Sequence, residues 1–356
     1  MGLKRKLALL AGACCVVALH ASTPGDAARP HHTADGFRNL HGAQVNKPFS
    51  WLLRWRWQAW REGLPRPAQQ ATPVVQPDLA QLTAQRAASA TWIGHATVLV
   101  QSGGLNILTD PVFSDRASPV SFVGPKRAVA PGIALDDLPP IDVVIVSHNH
   151  YDHLDRASVV RLNERAGGRT LFLVPLGLKA FFAGEGITNV VELDWWDTHR
   201  VNGVEFQLLP VQHWSARGLH DRNKTLWGGW GVFAPDLRWY FSGDAGYSPD
   251  FVAVRERLAP RMSDGALFDL ALLAVGAYEP RWFMKEQHMN PAEAVQAHKD
   301  LAARRSIGIH WGTFSLTDEP LDQPPKDVAA ARAAAGVAPE DFFVVRIGES
   351  WRPPKK

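Results

Sequence analysis

The segment SHNHYDHLD, residues 147–155, concentrates metal-binding side chains directly after the apolar run IDVVIV. His148 and His150 are one residue apart, so in an extended chain both side chains point the same way. Asp152 and His153 follow once the chain turns, and they can face the same volume from another side. One metal ion would take the first pair and a second ion the latter pair. Imidazole and carboxylate ligands without a thiolate suit zinc and also accept iron or manganese.

Two metal ions need more ligands than this segment supplies, and later apolar runs end at suitable residues. His213 follows VEFQLLPVQ, Asp244 follows RWYFSG and His310 follows SIGI. Strands of one sheet would deliver all three to a common edge, where the carboxylate of Asp244 can contact both ions. The remaining core histidines do not all share this setting, and each is interpreted singly as structural: His199, His220, His288 and His298.

The elements that would position these residues are short strands separated by helices. From residue 89 onward, β-type runs such as ATWIGHATVLVQ, GLNILTD, LALLAV and FFVVRIG alternate with turn residues. Helical patterns cover about 156–167, 177–186, 291–304 and 326–336. The order predicts α/β layers with mixed sheets between helices, in a single domain over residues 89–350.

The N-terminus has the composition of an export signal, predicted over residues 1–28. Lys4, Arg5 and Lys6 precede a short apolar stretch, which is too short to span a bilayer easily. A retained anchor and a lipoprotein cleavage at Cys14 are the weaker alternatives. The mature protein would be periplasmic or envelope-associated, and it would lack thiols because both cysteines lie in this segment.

Composition indicates a globular chain and gives no electrostatic case for nucleic-acid binding. Hydrophobic residues make up 46% and charged residues 21%. The three basic residues of the predicted export segment equal the whole excess of 38 basic over 35 acidic side chains. The basic isoelectric point therefore belongs largely to the export segment.

Residues 29–88 are predicted to form a flexible leader followed by an aromatic and basic helical segment. The histidines of the leader, among them His31, His32 and His41, are expected to be solvated, with a metal-sequestering tail as the weaker alternative. In the following stretch PFSWLLRWRWQAWREGLPRP, tryptophans recur at helical intervals with arginines between them. Such a helix either packs on the domain, which we favour slightly, or lies in a membrane interface.

These motifs together resemble the metallo-β-lactamase superfamily, a four-layer αββα sandwich with a binuclear site at one edge of its sheets. Within it, the resemblance is most specific to N-acyl-phosphatidylethanolamine-hydrolysing phospholipase D. Similar stretches include TWIGHATVLV, LTDPVFSDRASP, LPPIDVVIVSHNHYDHLD, SGDAGY, GAYEPRWFMKEQHMNPAEAV and HWGTF. They occur in the expected order over roughly residues 89–350. The export signal departs from what an intracellular membrane-associated family implies.

The resemblance implies a set of ligands for two zinc ions. One ion would be held by His148, His150 and His213, and the other by Asp152, His153 and His310, with Asp244 bridging the two. Asp152 is additionally predicted to be catalytic, by orienting the nucleophile or carrying a proton. The lipid-binding residues predicted for the same site are Tyr151, Tyr278, Arg281, Trp282, Phe283 and Gln287.

The predicted reaction is phosphodiester hydrolysis of phospholipase D type. Two zinc ions would lower the pKa of a shared water, and the hydroxide would attack phosphorus in line with the departing alkoxide. N-acyl-phosphatidylethanolamine would give phosphatidic acid and the N-acylethanolamine. Hydrolysis of lactones, acyl groups or β-lactams is the alternative enzyme class, and a metal-loaded lipid-binding protein is the non-enzymatic one. The expected partners are a phospholipid and a membrane surface, and a homodimer is left open.

Overall fold

The computed structural model describes residues 29–41, 44–84, 87–262 and 265–354, so the predicted signal segment lies outside the described residues. The strands are β1 (His32–Thr33), β2 (Gly36–Phe37), β3 (Ser89–Gly94), β4 (Thr97–Ser102), β5 (Leu105–Thr109), β6 (Val143–Ile145), β7 (Leu171–Pro175), β8 (Val190–Leu193), β9 (Thr198–Val201), β10 (Val204–Leu209), β11 (Gly229–Phe233), β12 (Arg238–Phe241), β13 (Leu270–Ala274), β14 (Ser306–Ile309), β15 (Phe342–Val344) and β16 (Ser350–Trp351). The helices are α1 (Phe49–Glu62), α2 (Leu79–Ala84), α3 (Arg156–Arg165), α4 (Lys179–Gly184), α5 (Asp250–Leu258), α6 (Arg281–Met284), α7 (Pro291–Asp300) and α8 (Pro324–Ala334).

Two seven-stranded sheets form the centre of the fold. The first has the order β16-β3-β4-β5-β6-β7-β8 and the second the order β15-β14-β13-β12-β11-β10-β9. In each sheet an antiparallel half gives way to a parallel half, from β5 to β8 and from β12 to β15. The carboxyl ends of those parallel strands therefore meet along one edge, which is where ligand-type residues were predicted.

Apolar side chains between the two sheets form the main core. Val100 and Val143 of the first sheet share one buried cluster with Phe206 and Trp230 of the second. Trp230 also donates its indole N–H to the carbonyl of Val146, at 2.9 Å, which ties the sheets together next to the histidine motif. Burial of large aromatic side chains is the main source of stability for such a layer.

Helices cover the outer face of each sheet. On the first sheet, Leu162 of α3 and Phe182 of α4 pack with Val144 in a second buried cluster. On the second sheet, α7 lies against β13, and α8 lies against α7 and β15. The predicted four-layer αββα sandwich is thus confirmed. Short apolar runs specify the strands, several of which are buried on both faces, and helical periodicity specifies the helices that cover them.

The predicted flexible leader is instead packed onto the sandwich as a strap, which we define as residues 29–41 and 44–46. His31 is only 3% exposed and stacks on Trp195 with ring centroids 4.4 Å apart. Its Nε2 lies 2.5 Å from a carboxylate oxygen of Asp194, and Nε2 of His32 lies 2.7 Å from the other. The expectation of a solvated histidine is therefore wrong for His31. Sequence reasoning missed it because the partner carboxylate lies far along the chain, at the end of β8.

Asp194→Asn is expected to lower the free energy of unfolding at pH 7 by about 1–3 kcal/mol, because Arg29, His31 and His32 would lose a charged acceptor. Burial alone would raise the pKa of Asp194, but the bonds from His31 and His32 hold it at about 2. This stabilisation is therefore fully present above the ordinary value of 3.8 and disappears as the pH falls toward 2. Urea unfolding at pH 7 and pH 2.5 measures both effects, with exposed Asp137→Asn as the control. Equal stability of the two variants at pH 7 would contradict the prediction.

Helix α1 connects the strap to the catalytic domain and buries only part of its aromatic surface. Trp55 is buried against Phe283 and donates its indole N–H to Asp318 at 2.8 Å. Trp57 and Trp60 are 55% and 78% exposed. Packing on the domain, the interpretation favoured from sequence, therefore describes Trp55 but not most of the helix. Within the described residues, no helix is both long and apolar enough to cross a membrane.

Candidate active site

Residues from four strand ends converge on one edge of the sandwich. The segment with His148 follows β6, while His213, Asp244 and His310 follow β10, β12 and β14. Gly243, with φ +54°, makes the turn before Asp244, and a Cβ there would lie 2.4 Å from Cβ of Ser147. Only glycine permits both this left-handed backbone and this close approach.

The first cluster consists of His148, His150, His213 and Asp244, whose ligand atoms all lie within 4.8 Å of one another. Nε2 of His148 is 2.8 Å from Nδ1 of His150, and Nε2 of His213 is 3.4 Å from the same atom. Three imidazole nitrogens thus face one small volume beside a carboxylate.

The second cluster consists of His95, Asp152, His153 and His310, with the same spread of 4.8 Å. Nε2 of His153 and Nε2 of His310 are 3.2 Å apart, and the Asp152 carboxylate lies 3.5 Å and 3.4 Å from them. Nε2 of His95 lies 3.0 Å from the same carboxylate. All seven predicted ligands are therefore brought together, in the two groups that the resemblance implied.

Asp244 lies between the two clusters. One of its carboxylate oxygens is 3.1 Å from Nε2 of His153 and 3.8 Å from Nε2 of both His148 and His213. The other oxygen is 3.0 Å from Nε2 of His310. The carboxylate therefore reaches both groups at once, the position required of a bridging ligand.

Buried hydrogen-bond partners orient the histidine rings from behind. Nδ1 of His153 lies 2.7 Å from Asp110, and the Ser147 hydroxyl donates to the same carboxylate at 2.5 Å. Nδ1 of His213 lies 2.9 Å from the carbonyl of Gln287. Each partner can accept the Nδ1 proton, which orients the ring with Nε2 toward the site.

The strap also supports a ligand directly. Asn39 donates its amide to the carbonyl of His213 at 3.0 Å and accepts from the N–H of His213 at 3.1 Å. Asn39 is itself buried. The leader thus fixes the backbone at one end of the first cluster, although nothing in its composition suggested this.

The electrostatics keep the first cluster in the form that binds cations. Burial lowers the pKa of His148 and His213 well below 6.5 and that of His150 to about 4, so their imidazoles are neutral at pH 7. In the second cluster burial would lower the pKa of His153, but the carboxylates of Asp244 and Asp152 hold it well above 6.5, so a cation would displace a proton there. Burial alone would raise the pKa of Asp152 and Asp244, but His153 and its neighbours hold both well below 3.8. Ionised carboxylates beside neutral imidazoles are the donor set for a divalent transition metal.

Unpartnered atoms show that the residues fit a pair of metal ions. Oδ1 of Asp244 and Nδ1 of His288 are buried without a hydrogen-bond partner among the described atoms. Buried polar atoms are normally satisfied, so an orphaned carboxylate oxygen between two histidine clusters indicates a position for a cation. The residues that would hold one ion are His148, His150 and His213; those that would hold the other are Asp152, His153 and His310, with Asp244 shared.

Sequence reasoning missed three residues of the site. His95 lies in the turn between β3 and β4, and its carbonyl accepts from the N–H of His310 at 2.9 Å. Asp110 directly follows β5, so the rule that found Asp244 also applied to it. His288 was interpreted as structural, but Nδ1 lies 3.8 Å from Asp244. His288 does not directly follow a strand; it lies between α6 and α7, so its position depends on how these two helices are joined.

A cavity of about 610 Å³ opens beside the clusters. His150, Asp152, Asp244 and His288 line its metal side. The remaining lining is mostly apolar and comes from α1 and α6 and from nearby loops: Pro48, Phe49, Leu52, Trp55, Trp214, Leu219, Ala277, Phe283, Met284 and Leu316. The shape and lining suit a ligand with a polar reacting group and long apolar chains.

Only some of the predicted substrate residues line the cavity. Gln287 and Phe283 line the cavity. The Tyr278 hydroxyl is bonded to Asp327, and the Tyr151 hydroxyl donates to the carbonyl of Arg217 at 2.8 Å. Neither tyrosine is among the residues that line this cavity.

Arg281 and Trp282 are also not among the residues that line this cavity. Arg281 pairs with Glu293 at 2.7 Å and donates to the carbonyl of His288 at 3.0 Å, so its guanidinium holds the α6–α7 connection. Trp282 is 41% exposed and lies 6.0 Å from Trp51 of α1, beside a separate groove. In this structure Arg281 therefore positions the site's backbone rather than facing the cavity.

Two sheets between helices, with paired histidine and aspartate clusters at one sheet edge, define a metal-dependent hydrolase of the metallo-β-lactamase fold. A beta-lactamase superfamily domain model matches residues 105–311. Among solved structures, a metallo hydrolase from Ignicoccus hospitalis superposes with a TM-score of 0.54 at 20% identity, covering 74% of this chain and 97% of that one. That similarity shows the fold alone.

Within this superfamily, the chain belongs to the N-acyl-phosphatidylethanolamine-hydrolysing phospholipase D family. It is 44% identical over 274 residues to N-acyl-phosphatidylethanolamine-hydrolyzing phospholipase D 1 of Caenorhabditis elegans, over 74% of this chain and 75% of the relative. It is 29% identical over 264 residues to a metal-dependent hydrolase of Methanopyrus kandleri, over 73% of this chain and 98% of that protein. The family predicted from sequence is therefore confirmed.

Proposed function

We propose that this protein is a binuclear zinc phosphodiesterase that hydrolyses N-acyl-phosphatidylethanolamine-like lipids to phosphatidic acid and the N-acylethanolamine. The observation that carries the proposal is the position of Asp244, which joins two ligand clusters at the polar end of an apolar-lined cavity. The name of the Caenorhabditis elegans relative supports the same substrate class.

Two bound zinc ions would supply Lewis acidity, which lowers the pKa of a water and neutralises phosphate oxygens. The chain's own residues fix the geometry. Asp110 and the carbonyl of Gln287 hold the rings of His153 and His213, so the ligand atoms need little rearrangement. Asp152 is held by His95 at 3.0 Å and lines the cavity, where its carboxylate can orient the attacking water.

His288 is placed to take part in proton handling. Burial lowers its pKa to about 4, so the imidazole is neutral at pH 7. Its unpartnered Nδ1 can accept a hydrogen bond from a water molecule beside Asp244. This role is absent from the set predicted from sequence.

The apolar surface around the cavity supports a proposal that the enzyme acts at a membrane surface. Phe49 and Leu52 of α1 line the cavity while other aromatic residues of the same helix are exposed, so one element serves both surfaces. We propose a peripheral association with phospholipid bilayers, in an exported protein of the periplasm or envelope. The proposed partners also include a second copy of the chain, in a homodimer.

Phosphorus NMR of the zinc-loaded protein with N-acyl-phosphatidylethanolamine vesicles tests the proposed reaction. The expected result is phosphatidic acid, formed only without chelator, together with about two zinc ions per chain by elemental analysis. Phosphatidic acid from phosphatidylcholine as well would indicate a broader phospholipase D. If no phosphorus product forms, the proposal fails and lactone, acyl and β-lactam substrates become the candidates.

A further inference from the structure

Two cationic side chains, on different elements, stand at the partly exposed rim of the cavity. Lys47 lies just before α1, and Arg222 lies in the loop between β10 and β11; both line the cavity with His150 and Asp244. Neither was among the substrate residues predicted from sequence. Each side chain is fixed by contacts inside the cavity, so neither is simply a surface charge that faces a membrane.

Arg222 is held one aromatic ring away from the first metal cluster. Its guanidinium carbon lies 4.1 Å from the centre of the Trp214 ring, and that ring lies 4.3 Å from the ring of His150. Nη2 also donates to the carbonyl of Val45 in the strap. The charge is near enough to contribute to lowering the pKa values of His150 and Lys47, after the larger effect of burial.

Lys47 is held by other residues of the rim. Its Nζ lies 4.6 Å from the centre of the Phe283 ring and 3.4 Å from Oε1 of Gln287. Burial lowers its pKa to about 8, so the side chain remains mainly cationic at pH 7. Both Phe283 and Gln287 also line the cavity, which keeps the ammonium group turned toward it.

The cavity offers few groups that could bind a positively charged headgroup. Among its described lining residues the only carboxylates are Asp152 and Asp244, and both belong to the metal clusters. A quaternary ammonium group can also bind the face of an aromatic ring. Here Arg222 covers Trp214 and Lys47 covers Phe283, and Arg56 lies 5.6 Å from the centre of the Trp55 ring, which leaves Phe49 among the described aromatic lining residues.

We propose that Lys47 and Arg222 select phosphodiester lipids whose headgroup carries no positive charge, by repelling ammonium headgroups from the cavity. This inference rests on the proposed phosphodiesterase function. Acylation of an ethanolamine nitrogen replaces its ammonium by a neutral amide, so the lipid changes from zwitterionic to singly anionic. The two cations attract that anion and oppose choline and free ethanolamine headgroups, which makes the discrimination partly repulsive.

The test uses dihexanoyl lipids below their micelle concentrations, so that headgroup charge is separated from membrane binding. The ratio of kcat/KM for the N-hexanoyl-phosphatidylethanolamine over that for phosphatidylcholine is measured for the native protein, Lys47→Met, Arg222→Gln and the double variant. Each single change is expected to lower the ratio about tenfold and the double change about 100-fold, as for one unit charge several Å from another in partly solvated surroundings. Arg222→Glu is expected to raise the absolute rate on phosphatidylcholine.

Arg56→Gln is the matched control, because Arg56 is an exposed cation of α1 that does not line the cavity. Lys47→Glu serves as a second reversal, since Arg222 also bonds the strap and its loss can loosen Val45. If the native protein hydrolyses neither lipid, the proposed function itself is overturned. If it hydrolyses the N-acyl lipid while all variants keep the native ratio, the function stands and the charge-selection proposal is overturned.

Discussion

Asp244→Ala is expected to abolish lipid hydrolysis, with a loss of at least about 10³-fold, the scale found when principal electrostatic stabilisation of a transition state is removed. The reason is that this single carboxylate reaches both ligand clusters: one oxygen lies 3.8 Å from Nε2 of His148 in the first cluster, and the other lies 3.0 Å from Nε2 of His310 in the second. Losing it removes one ligand from each proposed ion. Activity is measured by phosphatidic acid release, and metal content by elemental analysis, where we expect fewer than two ions per chain.

The control for Asp244→Ala is His199→Ala. His199 lies in β9 and belongs to none of the metal-type clusters found among the described residues, so activity and metal content should stay at the native level. Circular dichroism checks that both variants fold. A correctly folded Asp244→Ala protein that keeps a tenth of native activity would remove the bridging carboxylate from the mechanism.

The ligand set could be predicted from sequence because each member directly follows an apolar run that becomes a strand. In a layered α/β fold such strands end at one edge, so the chain order alone brings His213, Asp244 and His310 beside the SHNHYDHLD segment. Asp110 obeys the same rule after β5. His95 and His288 do not, because a turn and an interhelical connection place them, and such positions depend on tertiary packing.

The surroundings of the centre were less predictable. Arg281 has the charge expected of a phosphate ligand, but its guanidinium pairs with Glu293 in the first turn of α7. The strap shows the same limit: nothing in the leader's composition indicates that Asn39 would bind His213, which lies 174 residues further along the chain. The periodicity of apolar residues indicates which face of a helix or strand is buried. It does not indicate which polar side chain of another element will form a hydrogen bond or ion pair with that face.

Trp57→Ser combined with Trp60→Ser is expected to weaken binding to anionic phospholipid vesicles about 100-fold. The two side chains are 55% and 78% exposed on α1, so each can bury apolar surface in a bilayer interface. Full burial of a large apolar side chain is worth roughly 1.5–3 kcal/mol, and about 1.4 kcal/mol corresponds to tenfold in affinity. Vesicle co-sedimentation measures the change. Trp55 is unsuited to this test, because its buried ring and its bond to Asp318 make it part of the fold.

The same double variant separates membrane binding from chemistry. Neither Trp57 nor Trp60 lines the cavity, so hydrolysis of a monomeric short-chain lipid should stay within about twofold of the native rate, as expected for surface substitutions that touch no site residue. Trp351→Ser, on β16 and away from α1, should change neither vesicle binding nor activity. Unchanged vesicle binding in the double variant would exclude α1 as the membrane contact. Loss of activity on the monomeric lipid would instead show that the exposed face of α1 shapes the cavity, because Phe49 and Leu52 of the same helix form part of its wall.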